Sequence, residues 1–195
     1  MKAFVLAEPG KVKWFDAPEP QLVPYGAILK PVAVTPCSSD VHTVFGGGSK
    51  KQDNLVLGHE CIAEVVSVGE NVCDFKTGDR VAVPAITPDW REKSIQEGND
   101  RHASAPFSGH QLGRTQPGVF SERFLIKDAD TTLAHIPQKI SEEQALMSVD
   151  VVTTGFTGAE YADIKIGDTV CVIGIGPIGL MAVAGAKLRG AARII

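Results

Sequence analysis

The chain has 195 residues, of which 44% are hydrophobic, and a formal net charge of -4. A chain of this length can bury a full core. Lys and Arg are scattered and form no basic stripe, which argues against binding to nucleic acid. No apolar run approaches the length of a membrane span, and the first apolar residues end too early for a signal sequence. We therefore expect a cytoplasmic protein with no membrane partner.

Cysteine use fits the same compartment. Cys37, Cys61, Cys73 and Cys171 form no CxxC pair. They are interpreted as thiols in a reducing environment or as metal ligands, so we expect no disulfide among them.

Short strand-like runs separated by Gly and Pro turns occupy most of the first 126 residues. This pattern of short strands and turns predicts an irregular β-barrel or sandwich. A polar segment over 87–117 has little periodicity. Loops of that length are usually functional, so it is predicted to help wall a substrate cleft.

The pattern changes at Cys37, where a short helix is predicted. Ser38 or Ser39 is expected to be its N-cap, which places Ser39 and His42 on one face. Cys37 itself, considered alone, is more typical of a buried thiol that packs as a small hydrophobe.

His59 and Glu60 stand at the mouth of a strand-like run that begins at Cys61. An imidazole there could bind a metal, with the adjacent carboxylate orienting it or replacing a departing water. The alternative is an ordinary polar pair at a strand end.

A capping-box pattern over 141–144 predicts a helix, with Asp150 expected at its far end. A carboxylate at that end opposes the helix macrodipole unless a cation such as a metal compensates it.

The last third has the pattern of a dinucleotide site. An apolar strand is predicted over 168–173, a glycine turn follows, and a helix is predicted over 180–188. The turn comprises Gly174, Gly176, Pro177, Ile178 and Gly179. Gly174 would make the turn, Gly176 would let backbone approach a pyrophosphate at the helix N-terminus, and Gly179 would let the helix pack on the strand.

The sequence of this last third leaves one alternative open and gives one further expectation. The alternative to a nucleotide site is a Gly-rich packing turn. Residues 191–195 begin a further strand that we expect to lack a partner within the chain.

Taken together and in this order, these motifs resemble the zinc-dependent medium-chain alcohol dehydrogenases. The longer runs 84–90, 150–156 and 179–186 resemble the NADP-dependent secondary-alcohol dehydrogenases in particular. The resemblance implies a mixed β and α/β fold. Residues 1–150 would form a GroES-like catalytic domain, and 151–195 would form the start of a Rossmann cofactor-binding domain that looks truncated.

The resemblance also implies a metal site. It assigns one catalytic zinc to Cys37, His59 and Asp150, with Glu60 as an alternative fourth ligand. It also makes Asp40 a candidate hydrogen-bond partner of His59, one that supports the imidazole without binding the metal itself.

The implied reaction interconverts secondary alcohols and ketones or aldehydes by hydride transfer to NADP. Ser39 would accept the hydroxyl proton and His42 would pass it towards solvent. NAD is not excluded, because the residues that discriminate the two cofactors would lie beyond Ile195. Relatives of this kind suggest a homo-oligomer, a tetramer, with a small alcohol or ketone as its partner.

Some positions depart from the family pattern. No cysteine lies between Asp89 and Gln111, so we expect no second, structural zinc. His110 stands where close relatives tend to carry a bulky aromatic residue at the substrate pocket. Otherwise His102, His110 and His135 are interpreted as surface or loop histidines.

Two other functions remain open from the sequence. One is a truncated zinc-binding module without turnover, since residues 1–195 hold little of a cofactor domain and are expected to be inactive alone. The other is a zinc-free quinone reductase of the same fold, which would not need Cys37, His59 and Asp150 together.

Overall fold

The computed structural model describes residues 1–47, 53–98 and 109–195. The chain divides into two compact units, Met1–Leu146 and Met147–Ile195. Each unit is described by itself below. No helix within the described ranges is long and apolar enough to cross a bilayer.

The first unit is built mainly from short strands, as the Gly- and Pro-punctuated sequence predicts. Its strands are β1 (Lys2–Glu8), β2 (Lys11–Asp16), β3 (Ala27–Thr35), β4 (Leu55–Val56), β5 (Glu60–Val68), β6 (Arg80–Val83), β7 (Phe124–Ile126) and β8 (Ala134–His135). Over the described residues, β7-β3-β5-β6-β8 form one antiparallel sheet and β2-β1-β4 form a smaller one.

The helices of this unit are short. They are α1 (Ser38–His42), α2 (Lys93–Gln96), α3 (Ala129–Thr132) and α4 (Glu142–Met147), the last ending where the second unit begins. The predicted helices at residues 38 and 141 are thus confirmed. The predicted cleft loop, 87–117, contains α2, while part of it lies outside the described residues.

The core lies on the five-stranded sheet. Leu29, Val65, Val81 and Phe124 are buried there, each on a different strand. The first four residues of β5, Glu60 to Ala63, are all buried. The start of β5 therefore lies inside protein on both faces and does not alternate between core and solvent.

The pairing of β3 with β5 positions the candidate site. The two strands are antiparallel, and Thr35 at the end of β3 is paired with Glu60 at the start of β5. The segment that follows β3 and the segment that precedes β5 therefore emerge side by side. Cys37 lies in the first segment and His59 in the second.

The N-cap of α1 is Cys37, so the prediction of Ser38 or Ser39 was wrong. Cys37 has extended backbone angles, and its N–H donates to Asp40 Oδ2 at 2.9 Å. Asp40 thus fills the reciprocal half of a capping box, and both serines fall inside the helix. A π-helical segment, Thr43–Gly47, follows α1.

The second unit contains α5 (Thr153–Tyr161), β9 (Thr169–Val170), α6 (Pro177–Leu188) and β10 (Arg193–Ile194). β9 is shorter than the strand predicted over 168–173. β10 pairs with β9 in parallel, so the expectation that the last strand lacks a partner was wrong. A crossover through α6 returns the chain beside β9, as in a βαβ unit.

Asp150 does not end a helix. It lies within a π-helical segment, Ser148–Val152, that leads directly into α5. Thr154 Oγ1 donates to Asp150 Oδ1 at 2.6 Å. The predicted conflict with a helix macrodipole therefore does not arise, because α5 continues the helical hydrogen bonding beyond the carboxylate.

Gly58, just before β5, requires the absence of a side chain. Its φ is +90°, and an added Cβ would lie 2.5 Å from the ring of Phe120. Gly78 has the same φ but open space around the Cβ position. Substitutions at these two glycines therefore distinguish the effect of backbone strain, which both share, from that of steric crowding, which only Gly58 has.

We predict that Gly58→Ala lowers the midpoint of thermal unfolding more than Gly78→Ala does. Both variants carry the strain of a left-handed backbone, about 1–2 kcal/mol. Only Gly58→Ala adds overpacking, about 1–3 kcal/mol, which corresponds to about 2 °C or more of extra loss. Calorimetric scans of both variants give the comparison, and equal losses would contradict the packing described for Gly58.

Candidate metal centre

Three of the predicted metal ligands lie together in the first unit. The ligand atoms of Cys37, His59 and Glu60 are within 4.8 Å of one another. His59 and Glu60 are each only 2% exposed, and Cys37 is half-buried. Asp150, the remaining predicted ligand, belongs to the second unit, and its role stays a prediction.

The His59 ring is oriented by its surroundings. Its Nδ1 faces Asp40 Oδ1 at 3.5 Å, and its Nε2 lies 3.9 Å from Glu60 Oε1. An ionised carboxylate only accepts hydrogen bonds, so Asp40 favours the tautomer with the proton on Nδ1. That tautomer leaves the Nε2 lone pair directed at the donor cluster.

Asp40 connects the two segments that carry the donors. Besides facing His59, it accepts hydrogen bonds from the Cys37 N–H at 2.9 Å and the Gly58 N–H at 3.2 Å. Burial by itself would raise the pKa of Asp40. The hydrogen bonds from His59, Cys37 and Gly58 outweigh that effect and hold its pKa below the usual value.

The donor set fits zinc. A thiol, an imidazole and a carboxylate are the side chains that zinc sites use, and a mixed set of this kind is found where one coordination position stays open. A carboxylate behind the metal-binding imidazole, as Asp40 is here, is the usual support for such a ligand. The buried Glu60 carboxylate is also expensive to desolvate in its charged form unless positive charge or hydrogen-bond donors are brought to it.

A cavity of about 280 Å³ opens beside His59. The predicted proton-transfer residues, Ser39 and His42, both line it. Ser39 Oγ lies 3.4 Å from His59 Nε2, and His42 is exposed at the end of α1. The structure thus brings the acid-base candidates to the same cavity as a predicted metal ligand.

His110 lies in a loop, as one interpretation of the sequence had it, and it is half-buried. Its ring lies edge-on to that of His59, with the centroids 4.6 Å apart, and it lines the cavity. The signal in the sequence was its family position at the substrate pocket. His135 stacks on Phe75 at 4.5 Å, and His102 lies outside the described residues.

The glycine turn of the second unit leads from β9 into α6. Gly174 has a φ of +95°, and a Cβ on Gly179 would lie 1.9 Å from the Gly174 carbonyl oxygen. Gly179 is therefore required first by the turn itself, since its added Cβ would make only an ordinary contact, at 3.8 Å, with Val172 in the segment that follows β9.

The start of α6 is open. Gly176 is its N-cap, Pro177 and Ile178 form its first turn, and nothing lies within 4 Å of the Cβ position of Gly176. Bare backbone at a helix N-terminus suits the pyrophosphate of a dinucleotide, so the chain's residues fit that group.

Comparisons with known proteins agree with this arrangement. Residues 24–138 match the family model "Alcohol dehydrogenase GroES-like domain". The NADP-dependent isopropanol dehydrogenase of Thermoanaerobacter brockii is 54% identical over the whole chain, which covers 55% of that relative. The enzyme of the same name from Clostridium beijerinckii is 49% identical, with 56% of it covered. The chain thus spans about half the length of these curated relatives.

Solved structures give the same fold. Alcohol dehydrogenase TADH from Thermus sp. ATN1 matches with a TM-score of 0.88 and 28% identity, over 100% of this chain and 57% of that one. A zinc-dependent alcohol dehydrogenase 2 from Streptococcus pneumonia matches with a TM-score of 0.88 and 29% identity, over 100% and 55%. The expected fold class, a GroES-like β-rich part followed by the first part of a Rossmann fold, is confirmed. The chain belongs to the zinc-dependent medium-chain alcohol dehydrogenase family, with that family's GroES-like domain in residues 24–138.

Proposed function

We propose that the full-length protein interconverts secondary alcohols and ketones by hydride transfer to NADP. The observation that carries the proposal is the cluster of Cys37, His59 and Glu60 next to a cavity lined by Ser39 and His42. The names of the Thermoanaerobacter and Clostridium relatives support the substrate class and the cofactor.

Zinc would be held by Cys37, His59 and Asp150, with Glu60 able to replace a ligand. When bound, zinc supplies a Lewis acid that polarises the alcohol oxygen. The chain's part is to keep the His59 Nε2 lone pair available, which Asp40 achieves from the opposite side of the ring.

Ser39 would accept the proton of the alcohol hydroxyl. His42 lines the same cavity and is exposed, so it can release that proton to solvent. In ketone reduction the two residues act in the reverse order.

The turn at Gly174, Gly176 and Gly179 would hold the cofactor pyrophosphate. Positioning the nicotinamide close to the alcohol carbon supplies much of the rate in such transfers. NADP in place of NAD rests on the named relatives.

The wider organisation is proposed on the family resemblance. It comprises a division near residue 150 between catalytic and cofactor domains, assembly into a homo-oligomer such as a tetramer, and a cytoplasmic location. The cysteines, all free in the structure, suit a reducing compartment.

The metal assignment predicts one zinc per chain, lost in Cys37→Ser. A hydroxyl is a poor replacement for a thiolate ligand. Cys73→Ser is the matched control, because Cys73 is an exposed cysteine outside the donor cluster. Elemental analysis of the purified proteins measures the effect. Full zinc in Cys37→Ser, or none in the wild type, would refute the site.

The activity itself is tested by assaying the zinc-loaded full-length enzyme with 2-propanol and with acetone, using NADP and NAD in parallel. We expect turnover in the ordinary enzyme range, about 1 to 1,000 per second, with NADP preferred. Zinc binding without turnover would favour the metal-binding module, and quinone reduction without zinc would favour the quinone reductase.

The proton path predicts that His42→Ala slows alcohol oxidation most at low pH, where proton release to solvent is hardest, while zinc content stays at the wild-type level. The pH profile of kcat for both proteins provides the measurement. Identical profiles would exclude His42 from the path.

A further inference from the structure

The cavity beside His59 is lined by residues of polar and ionisable types together with one glycine. The described residues that line it are Ser39, Asp40, His42, Thr43, His59, His110, Gly113 and Arg114. None of these is Val, Leu, Ile, Met, Phe or Trp. Pockets for small apolar ligands are lined mostly by hydrophobic side chains, so this wall favours a substrate with polar groups of its own.

Arg114 is the permanently charged residue of this wall, since a guanidinium keeps its proton in proteins. It is half-buried. Its backbone is fixed in a tight turn, in which the Gln111 carbonyl accepts hydrogen bonds from the N–H groups of Arg114, Thr115 and Gln116 at 3.0–3.1 Å.

The same turn is docked against the segment that carries His59. The Cβ position of Gly113 lies 3.1 Å from both the N and the O of Gly58. Because Gly58 directly precedes His59, this contact fixes the turn relative to the imidazole. His110, on the approach to the turn, has its ring 4.6 Å from that of His59.

We propose that Arg114 is a specificity-determining residue that binds a second oxygen-bearing group of the substrate. The inference rests on the proposed function, and within that substrate class it predicts a preference for small secondary alcohols or ketones that carry a further carboxylate or hydroxyl oxygen. A guanidinium donates to either group, most strongly to a carboxylate. The cavity volume of about 280 Å³ has room for a small substrate of this kind.

The test compares three four-carbon secondary alcohols with the zinc-loaded full-length enzyme: 2-butanol, 2,3-butanediol and 3-hydroxybutanoate. The readout is the ratio of kcat/KM for each polar alcohol to that for 2-butanol. In Arg114→Met we expect the ratio to fall by about 10- to 100-fold, the effect of losing a hydrogen bond to a charged group. A fall confined to 3-hydroxybutanoate identifies a carboxylate as the bound group, and a fall confined to the diol identifies a hydroxyl.

Two further variants separate recognition from folding and from overall charge. Arg114→Lys keeps the charge and should keep most of the preference, because ammonium also donates to oxygen. Lys139→Met removes one positive charge at an exposed position outside the cavity and should leave the ratios as in the wild type. Ratios that stay the same in Arg114→Met, or that fall equally in Lys139→Met, would overturn the proposal.

Calorimetric binding of the same three compounds gives a readout that does not need turnover. The affinity for the preferred polar alcohol should drop about tenfold or more in Arg114→Met relative to that for 2-butanol. An enzyme that is inactive but shows this drop would refute the proposed function and leave the role of Arg114 standing. An active enzyme without the drop would refute the role of Arg114 alone.

Discussion

The carboxylate of Asp40 is the constraint on which the rest of the candidate site depends. It accepts hydrogen bonds from the backbone of Cys37 and of Gly58 and also faces the ring of His59. A buried carboxylate is tolerable only because these donors replace its lost water. One side chain therefore caps the helix that follows Cys37, holds the strand entry that carries His59, and sets the tautomer of the imidazole.

This arrangement is possible because β3 and β5 are antiparallel, with Thr35 opposite Glu60. A shift of that register by one residue would turn every side chain of β5 to the other face of the sheet. The segment that contains Gly118 packs directly against the backbone of the segment that contains Gly58. A Cβ on Gly118 would lie 2.3 Å from the carbonyl oxygens of Gly58 and Leu57, so neither segment could approach the other as closely with a side chain there. The proposed metal site is thus supported by packing that leaves no room for a side chain at these two glycines.

The polar cavity follows from the same packing. The turn that carries Arg114 is held against Gly58 through Gly113, so the residue proposed to select the substrate and the residue proposed to bind the metal share one backbone support. Preorganised groups of this kind bind a substrate without reordering. The chemistry proposed here therefore depends on loops of the first unit, and the fold of the family provides the frame that holds them.

The sequence alone determined the donor types at Cys37, His59 and Glu60 and the glycine turn Gly174-x-Gly176-x-x-Gly179. It also determined the pattern of short strands and the family. All of these are properties of residue type and local spacing. Three features were decided by tertiary structure: the capping of α1 by Cys37 through Asp40, the parallel pairing of β9 with β10, and the position of His110 beside His59. Each depends on which groups folding brings together, and local rules of propensity and periodicity do not specify such contacts. Asp150 shows the same limit, since only the folded chain reveals that the helical backbone continues past it into α5.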